Sequence, residues 1–280
     1  MGSNRYGKSA IRLVRIQRDT TPHRIWDLTV SIALDGEFAA SYRDGDNSDV
    51  IATDTMKNSA YALAKEHLTT SIEDYAIAVG RHFASQPKVQ GADVFVEQHR
   101  WQPIGTSRDA FVREGSFTRT ALARIGGDSL DVQAGIDGMS VMKTTRSAFA
   151  GFPRDRYTTL KETDDRVMAT KVSARWEYER GAPIDFNATY DAVLATFLDT
   201  FADHDSASVQ ASIWIVGKAI LERHAAVESI SMSLPNLHHW TVDLSPFGLE
   251  NDREIYVATT EPHGLIEATV RRSDLAAKRL

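Results

Sequence analysis

Hydrophobic and polar positions alternate early in the chain. From Trp26 to Leu34 every second residue is apolar, which is the period of a half-buried β-strand. Residues 10–16 have the composition of another strand, and residues 19–22 contain the connection between the two. Asp35-Gly36 marks a turn after the later strand. The pattern therefore predicts that the chain begins with an antiparallel pair whose apolar face needs a cover.

Helix signals follow this pair. Asn58 is the predicted N-cap of a short helix that runs through Leu63. Thr70-x-x-Glu73 has the form of a capping box, and it opens a helix that ends near Phe83. These two helices are the predicted cover.

The second half of the chain repeats this order. Apolar side chains at spacings of three and four form one stripe from Phe186 to Phe201, which predicts a core-facing helix, and a second helix begins near Ser208. The remaining segments with strand composition are residues 93–99, 117–125, 132–143, 169–178, 229–234, 240–244, 254–259 and 265–271.

Two ββααββ units summarise this order, and Gly126-Gly127 closes the first. The predicted class is α+β, with one domain over residues 1–126 and a second over residues 127–280. Each domain is an antiparallel sheet with helices on one face. Because such sheets leave strand edges unpaired in a monomer, they favour closure by association. We therefore expect an oligomeric barrel.

Composition excludes several classes of protein. Among the 280 residues 42% are hydrophobic and 25% are charged, which is typical of a folded globular chain. The formal net charge is −6 and no basic block is present, so nucleic acid is not an expected partner. The chain has no cysteine, and this excludes disulfides, thiolate nucleophiles, zinc knuckles and iron–sulfur clusters.

The chain also carries no membrane signal. No apolar run approaches the roughly 18 to 20 residues that span a bilayer. The N-terminal residues have no apolar segment of the signal-peptide type. The sequence therefore predicts a soluble, cytoplasmic protein without a membrane partner.

The histidines do not form a metal-binding pattern. His238 and His239 are adjacent, and on a strand they would point to opposite faces, so that only one could serve a given ion. The HxxxH and HExxH spacings are absent, and no metal site is predicted. Asn236 and His238, two residues apart in an extended segment, can face the same way.

Other polar residues have ordinary structural interpretations when each is taken alone. A lysine before a first strand, a threonine and an aspartate before a helix, an aromatic beside a loop, an arginine among aspartates and a glutamine in a first helical turn are all common. The residues in question are Lys8, Thr53, Asp54, Phe149, Arg166 and Gln210.

The same residues fall within motifs that occur in one order from Tyr6 to His239. These motifs are Tyr6-Gly7-Lys8, Ala52-Thr53-Asp54-Thr55-Met56-Lys57-Asn58, Phe149-Ala150-Gly151-Phe152-Pro153-Arg154-Asp155, Tyr157-Thr158-Thr159-Leu160-Lys161-Glu162-Thr163, Asp165-Arg166, Ser208-Val209-Gln210 and Ser233-Leu234-Pro235-Asn236-Leu237-His238-His239. Together they resemble the urate oxidase (uricase) family over nearly the whole chain.

The resemblance implies two tandem T-fold (tunnelling-fold) domains in each chain. Four chains would build a hollow barrel, with active sites where subunits meet. It also implies oxidation of urate by O₂ to 5-hydroxyisourate with release of H₂O₂, without a metal, a flavin or another organic cofactor. The electron-rich purine anion can itself supply electrons to oxygen, so the protein need only bind, deprotonate and position it.

The resemblance assigns the substrate contacts. Arg166 would present its planar guanidinium to one edge of the purine, and Gln210 would pair with the opposite side through its amide. Phe149 would stack on the ring, a contact worth about 1 to 3 kcal/mol. The backbone N–H of Val209 would add a further fixed contact.

The resemblance also assigns the catalytic groups. Lys8 and Thr53 would form a proton relay that takes a proton from urate, and His238 would continue it. Asn236 with Thr53 would hold O₂, and later the attacking water, over the ring face. Asp54 would help to bind the substrate or orient its neighbour. Lys8, Thr53 and Asp54 would come from a different subunit than Phe149, Arg166 and Gln210.

Two other functions are open to a chain of this architecture. One is a T-fold enzyme acting on pterins or purines, although metal-dependent cyclohydrolases need Cys and His ligands. The other is a non-catalytic purine-binding relative, in which Lys8, Thr53 or His238 would be replaced; all three are present. Leu237 departs from the family pattern, which often has a lysine there, and we expect it to alter local charge rather than activity.

Overall fold

A computed structural model describes residues 2–181 and 183–276 as a mixed α/β structure with antiparallel strand pairs. The chain divides into two compact units. The first unit contains the residues up to Asp137 together with Arg175–Tyr190, and the second contains Gly138–Ala174 together with the residues from Asp191 onwards. The domain boundary between residues 126 and 127 stays a prediction. The two units are interleaved along the chain, because residues 175–190 return to the first.

The first unit is built on antiparallel strands. In order across its sheet they are β1 (Arg5–Gln17), β2 (Arg24–Gly36), β3 (Val89–Gln98), β6 (Thr118–Gly126) and β7 (Ser129–Lys143), and a separate hairpin is formed by β4 (Trp101–Pro103) and β5 (Phe111–Arg113). In the register of this sheet Leu28 lies opposite both Leu13 and Gln98. Strand β1 forms the edge.

Three helices belong to the first unit: α1 (Ala39–Arg43), α2 (Thr53–His67) and α3 (Ile72–Ala84). Helix α3 packs on β3 and β6, and α2 packs on β1. The alternation that predicted β2 is confirmed, because its apolar side chains from Trp26 to Leu34 are at most 1% exposed. They pack in one core with Tyr75 and Phe83 of α3.

The predicted start of α2 is wrong by several residues, and the predicted cap of α3 is wrong by one. Helix α2 begins at Thr53, so Asn58 lies inside it and donates a 3.0 Å hydrogen bond to Asp54. The cap of α3 is Ser71, whose backbone is extended and whose hydroxyl accepts from the Asp74 N–H at 3.0 Å. Because the capping oxygen comes from Ser71 rather than Thr70, the capping box is not formed, and the buried Glu73 side chain binds elsewhere.

The second unit contains the end of β7, the first part of β8 (Met168–Tyr178) up to Ala174, and the strands β9 (Val227–Leu237) and β12 (Gly264–Arg271). A separate pair is formed by β10 (His239–Thr241) and β11 (Tyr256–Ala258). Strands β8, β9 and β12 are neighbours in that order, and β12 forms an edge. The predicted strands over residues 240–244 and 254–259 are thus shorter than expected.

The helices of the second half are α4 (Phe186–Asp203), α5 (Val209–Arg223) and α6 (Arg272–Ala276), and Ser245–Phe247 forms a 3₁₀ turn. The predicted helices at Phe186 and Ser208 are confirmed. Helix α5 packs on β9 and β12, so its N-terminal turn lies beside the strands that end near Asn236. No helix among the described residues is both long enough and apolar enough to cross a membrane.

Candidate active site

Phe149 and Arg166 are brought together by a short irregular pairing of two loop segments. The Phe149 N–H donates to the Thr163 carbonyl at 2.8 Å, and the Arg166 N–H donates to the Ser147 carbonyl at 2.7 Å. The guanidinium carbon of Arg166 consequently lies 5.5 Å from the centroid of the Phe149 ring. Phe152 stacks on Phe149 at 5.1 Å between centroids, with an angle of 15° between the rings. The Phe149 ring is therefore held in place by its stacking on Phe152.

The loop that presents Arg166 is fixed by the carboxylate of Asp165. Its oxygens accept hydrogen bonds from the Thr145 hydroxyl at 2.9 and 3.0 Å and from the Arg146 N–H at 2.8 Å, and Arg253 lies 3.1 Å away. Burial acts to raise the pKa of Asp165, but these hydrogen bonds and the Arg253 charge outweigh it, so that the pKa lies below its ordinary value.

The N-terminus of α5 presents Val209 and Gln210. Ser208 is the N-cap, and its hydroxyl accepts from the Ala211 N–H at 3.1 Å. Helical geometry gives the preceding N–H groups, those of Val209 and Gln210, no acceptor within the helix. Since the first turn of a helix carries a partial positive charge, these groups suit an anionic or carbonyl-bearing ligand.

The end of β9 carries Asn236 and His238. Asn236 is 9% exposed and lies opposite Gly264 of β12. The His238 ring stacks on Trp240, with 5.1 Å between centroids. Burial lowers the pKa of His238, and the positive charges of Arg166 and His263 lower it further, which favours the neutral imidazole as a proton acceptor.

One cavity of about 840 Å³ connects these segments, and its volume lies within the range of small-molecule pockets. The predicted site residues that line it are Phe149, Arg166, Val209, Gln210, Asn236 and His238. Lys8, Thr53 and Asp54 do not line it and belong to the first unit. The structure therefore gathers six of the nine predicted residues.

His238 and His239, which were expected to point to opposite faces of a strand, both line this cavity. Strand β9 ends at Leu237 and β10 begins at His239, so the period of two does not run through the pair. Among the described residues no group of three or more His, Asp or Glu is arranged as a metal site.

Several lining residues had no assigned role in the sequence. They include Glu162, His239, Trp240, Arg253 and Tyr256. The spacing of Trp240 two residues after His238 was an available signal, since alternate residues of an extended segment share a side. Nothing in the sequence indicated Arg253, because its contact with Asp165 joins residues 88 positions apart.

Lys8, Thr53 and Asp54 form a second group within the first unit. Thr53 and Asp54 begin α2, and the Asp54 carboxylate hydrogen-bonds to Lys57 and to Asn58. The Lys57 hydrogen bond and charge lower the pKa of Asp54, and the Lys8 ammonium is close enough to lower it further. The α2 N-terminus therefore places Asp54, one residue after Thr53, within range of the Lys8 charge.

Backbone geometry fixes the position of Lys8. A Cβ on Gly7 would lie 1.9 Å from the Ile32 carbonyl oxygen, so only glycine permits this close approach of β1 to β2. Directly after Lys8 the register shifts at a bulge, in which Ala10 has a φ of 57°. Bulges redirect side chains, and this one directly follows Lys8.

Comparison with known proteins identifies the family. Residues 4–124 and 132–267 match the family described as Uricase. A uricase from Arthrobacter globiformis is 44% identical over 273 residues, covering 97% of this chain and 90% of that relative. A uricase from Dictyostelium discoideum is 37% identical and covers 96% of both chains. The crystal structure of the Arthrobacter globiformis uricase has a TM-score of 0.94 at 43% identity, covering 100% of this chain and 97% of that one. The chain therefore belongs to the uricase family.

Proposed function

We propose that the protein oxidises urate with O₂. Urate, O₂ and water become 5-hydroxyisourate and H₂O₂: two electrons pass from the purine to oxygen, and the water oxygen is bonded to the ring. The proposal needs no metal and no organic cofactor. The observation that carries it is the single cavity lined by a guanidinium, an amide, an aromatic ring and a histidine whose pKa is lowered, in a chain of the uricase family.

The second unit supplies the substrate clamp in this proposal. Arg166 offers its planar array of donors to the carbonyl edge of the purine. Gln210 pairs with the opposite edge through both functions of its amide, beside the Val209 N–H. Phe149 stacks on the ring, and its brace by Phe152 supports this role because a fixed ring loses little freedom on binding.

Lys8 and Thr53 remove the proton in this proposal. The Thr53 hydroxyl takes the proton from urate as it passes its own proton to the neutral Lys8 amine, and the ammonium formed there stabilises the negative charge that develops on the purine. Asp54 orients the pair, a role supported by its place one residue after Thr53 and within range of the Lys8 charge. Asn236 and Thr53 hold O₂ over the ring face and then hold water.

His238 continues the relay by accepting a proton from that water. Burial and the neighbouring positive charges keep the imidazole neutral at lower pH than usual, and a neutral ring is the form that accepts a proton. The water can then attack the oxidised purine. Peroxide leaves with protons from the substrate and from the water.

The same proposal includes two T-fold domains and a tetrameric barrel with sites between subunits. It is supported by the two edge strands, β1 and β12, which have one neighbour each among the described strands. Large apolar side chains at 51 to 74% exposure give further support: Trp240, Phe247, Leu249 and Val257. A surface of this kind is typical of association.

The test is loss of urate absorbance in the ultraviolet together with O₂ uptake, on protein treated with a chelator. We expect urate and O₂ to be consumed in equal amounts and H₂O₂ to accumulate. Lys8→Ala and Thr53→Ala should lose most of the rate, by about 10² to 10⁴-fold for a proton-transfer group. Lys171→Ala, at an exposed position of β8, is the matched control and should retain it.

Each failure has its own meaning. Urate that binds without being consumed would identify a binding relative and refute the oxidase. Full activity in Lys8→Ala would refute the relay while leaving the reaction intact. Activity that is lost on chelation and restored by a metal would refute the cofactor-free mechanism.

A further inference from the structure

A chain of hydrogen-bonded polar side chains, half-buried at His204 and buried at its serines, lies between the end of α4 and the start of α5. Its members are His204, Ser206 and Ser212. His204 Nδ1 is 2.8 Å from the Thr200 carbonyl oxygen, and Nε2 is 2.8 Å from the Ser212 hydroxyl. The Ser212 hydroxyl is in turn 2.8 Å from that of Ser206. Ser206 and Ser212 are 2% and 1% exposed. We name this group the histidine–serine chain.

The partners determine the direction of these hydrogen bonds. A carbonyl can only accept, so His204 Nδ1 must carry the hydrogen that it donates to Thr200. In the neutral imidazole Nε2 is then the acceptor, and Ser212 donates to it. The Ser212 oxygen is left to accept from Ser206. The tautomer of His204 thus sets the direction of the Ser212 hydroxyl, and the Ser206 hydroxyl can donate to Ser212 or to the Ser208 carbonyl at 3.1 Å.

Two members of the chain, Ser206 and Ser212, are attached to segments that carry residues of the cavity wall. The Ala148 N–H donates to the Ser206 carbonyl at 2.7 Å, and Ser206 N–H donates to the Arg146 carbonyl at 2.9 Å. Ser206 therefore pairs alongside the segment that continues into Phe149. Ser212 lies in the first turn of α5, and its N–H donates to the carbonyl of the capping Ser208.

The backbone at His204 is itself held in place. The Lys143 ammonium donates to the carbonyl of His204 at 2.6 Å, and to those of Phe201 and Ala202 at 3.0 and 3.1 Å. These three carbonyls end α4, where a cation is favoured. The backbone that carries the His204 ring is therefore held in place by Lys143.

We infer that His204 is a positioning residue for purine binding: it holds the α5 turn that presents Val209 and Gln210 at a fixed distance from the segment that presents Phe149. It touches neither the cavity nor the ligand. The inference rests on the proposed function for the identity of the ligand as a purine. If the acceptor at Nε2 is lost, the Ser212 hydroxyl loses one partner, and the α5 turn is held to the Phe149 segment only through Ser206, whose hydroxyl reaches Ser212 at 2.8 Å and the Ser208 carbonyl at 3.1 Å.

Two substitutions of His204 separate the two ring nitrogens. Asn carries its amide at the depth of Nδ1, so His204→Asn can keep the bond to Thr200 but not the bond to Ser212. Gln reaches the depth of Nε2, so His204→Gln restores an acceptor for Ser212. Ser212→Ala removes the same bond from the other side and provides the test if His204→Asn does not fold.

The measurement is the affinity for xanthine by titration calorimetry, together with KM and kcat for urate and the melting temperature of each variant. His204→Asn and Ser212→Ala should weaken xanthine binding by about three- to tenfold, the range for one hydrogen bond. KM should rise by the same factor with kcat nearly unchanged, because these walls bind ground state and transition state alike. His204→Gln should bind xanthine like the wild type.

Equal xanthine affinity in His204→Asn and the wild type would overturn the inference. So would a loss in His204→Gln as large as that in His204→Asn, since only the Nε2 acceptor distinguishes them. A wild type that binds xanthine but does not oxidise urate would refute the proposed function and leave this inference intact. A wild type that binds no purine would refute both.

Discussion

Arg119 donates hydrogen bonds from Nη2 to both carboxylate oxygens of Glu73, at 3.0 and 2.7 Å, and the two side chains are 7% and 0% exposed. Through Nη1 the same guanidinium reaches Asn187 at 2.8 Å, and it lies 4.4 Å from the centroid of the Tyr190 ring. Burial raises the pKa of Glu73, and the Arg119 charge opposes that change. The first unit therefore contains a buried ion pair, Glu73–Arg119, that links α3 to the start of α4.

Removal of one partner should destabilise the protein strongly. Arg119→Met leaves Glu73 buried without its counter-ion, and breaking such a pair costs about 3 to 5 kcal/mol. Urea unfolding should show this loss. The control is Arg180→Met, which breaks the exposed pair with Asp131 and should change stability by about 1 kcal/mol or less. Replacing both Glu73 and Arg119 by apolar residues should recover much of the loss, and failure to do so would assign the effect to packing.

The stability that Asp165 contributes should be lost in acid. Its pKa is lower in the folded protein than its ordinary value of 3.8. Its contribution is therefore fully present above pH 3.8 and disappears as the pH falls through the lower folded value. The stability difference between wild type and Asp165→Asn should shrink in that window. Asp199→Asn, at an exposed position of α4, should show no such trend, and a difference that grows in acid would contradict the assignment.

The pH dependence of urate oxidation should report His238. Because its pKa is lowered from 6.5, the acid limb of kcat/KM should lie below pH 6.5. His263 contributes to that lowering through its positive charge. His263→Gln should consequently raise the pKa of His238 and move the limb to higher pH, with little effect on the rate at the plateau. A limb that moves to lower pH, or stays in place, would show that another group controls it.

Gly7→Ala should damage the site through the backbone. The new Cβ would meet the Ile32 carbonyl oxygen at 1.9 Å, and relief of that clash must separate β1 from β2. We expect a loss of about 1 to 3 kcal/mol, as for overpacked sites, and a fall in kcat because Lys8 is displaced. Gly2→Ala, where a Cβ meets no atom within 4 Å, should be neutral in both measurements. A stable Gly7→Ala with normal kcat would remove the argument for Lys8.

Much of the fold was predictable from the sequence because the signals are local. The alternation from Trp26 to Leu34 and the apolar stripe from Phe186 to Phe201 each gave an element that the structure contains. The cap of α3 was missed by one residue, since it depends on one hydroxyl and Ser71 carries a hydroxyl as Thr70 does. The start of α2 was missed because its N-cap, Ala52, makes no side-chain capping bond. Spacing alone cannot decide between adjacent capping residues.

The residues that line the site were predictable from the sequence, but the contacts that hold those residues in place were not. Resemblance to the family indicated Phe149, Arg166 and Gln210, and these do line one cavity. The groups that hold them act across long separations in sequence. Arg253 reaches Asp165, and Lys143 reaches the carbonyl of His204. Such contacts form only when the chain folds, and they produce no periodic pattern in the sequence.

The interleaving of the two units affects how the protein is made. The first unit needs Arg175–Tyr190, because Trp176, Tyr178 and Tyr190 are buried in it and Asn187 donates to the Thr70 carbonyl at 2.8 Å. A ribosome therefore releases the whole of the second unit's first segment, residues 138–174, before the first unit can be completed. Folding during translation cannot proceed strictly unit by unit, and a gene divided at codon 126 or 137 would encode a first fragment without part of its core.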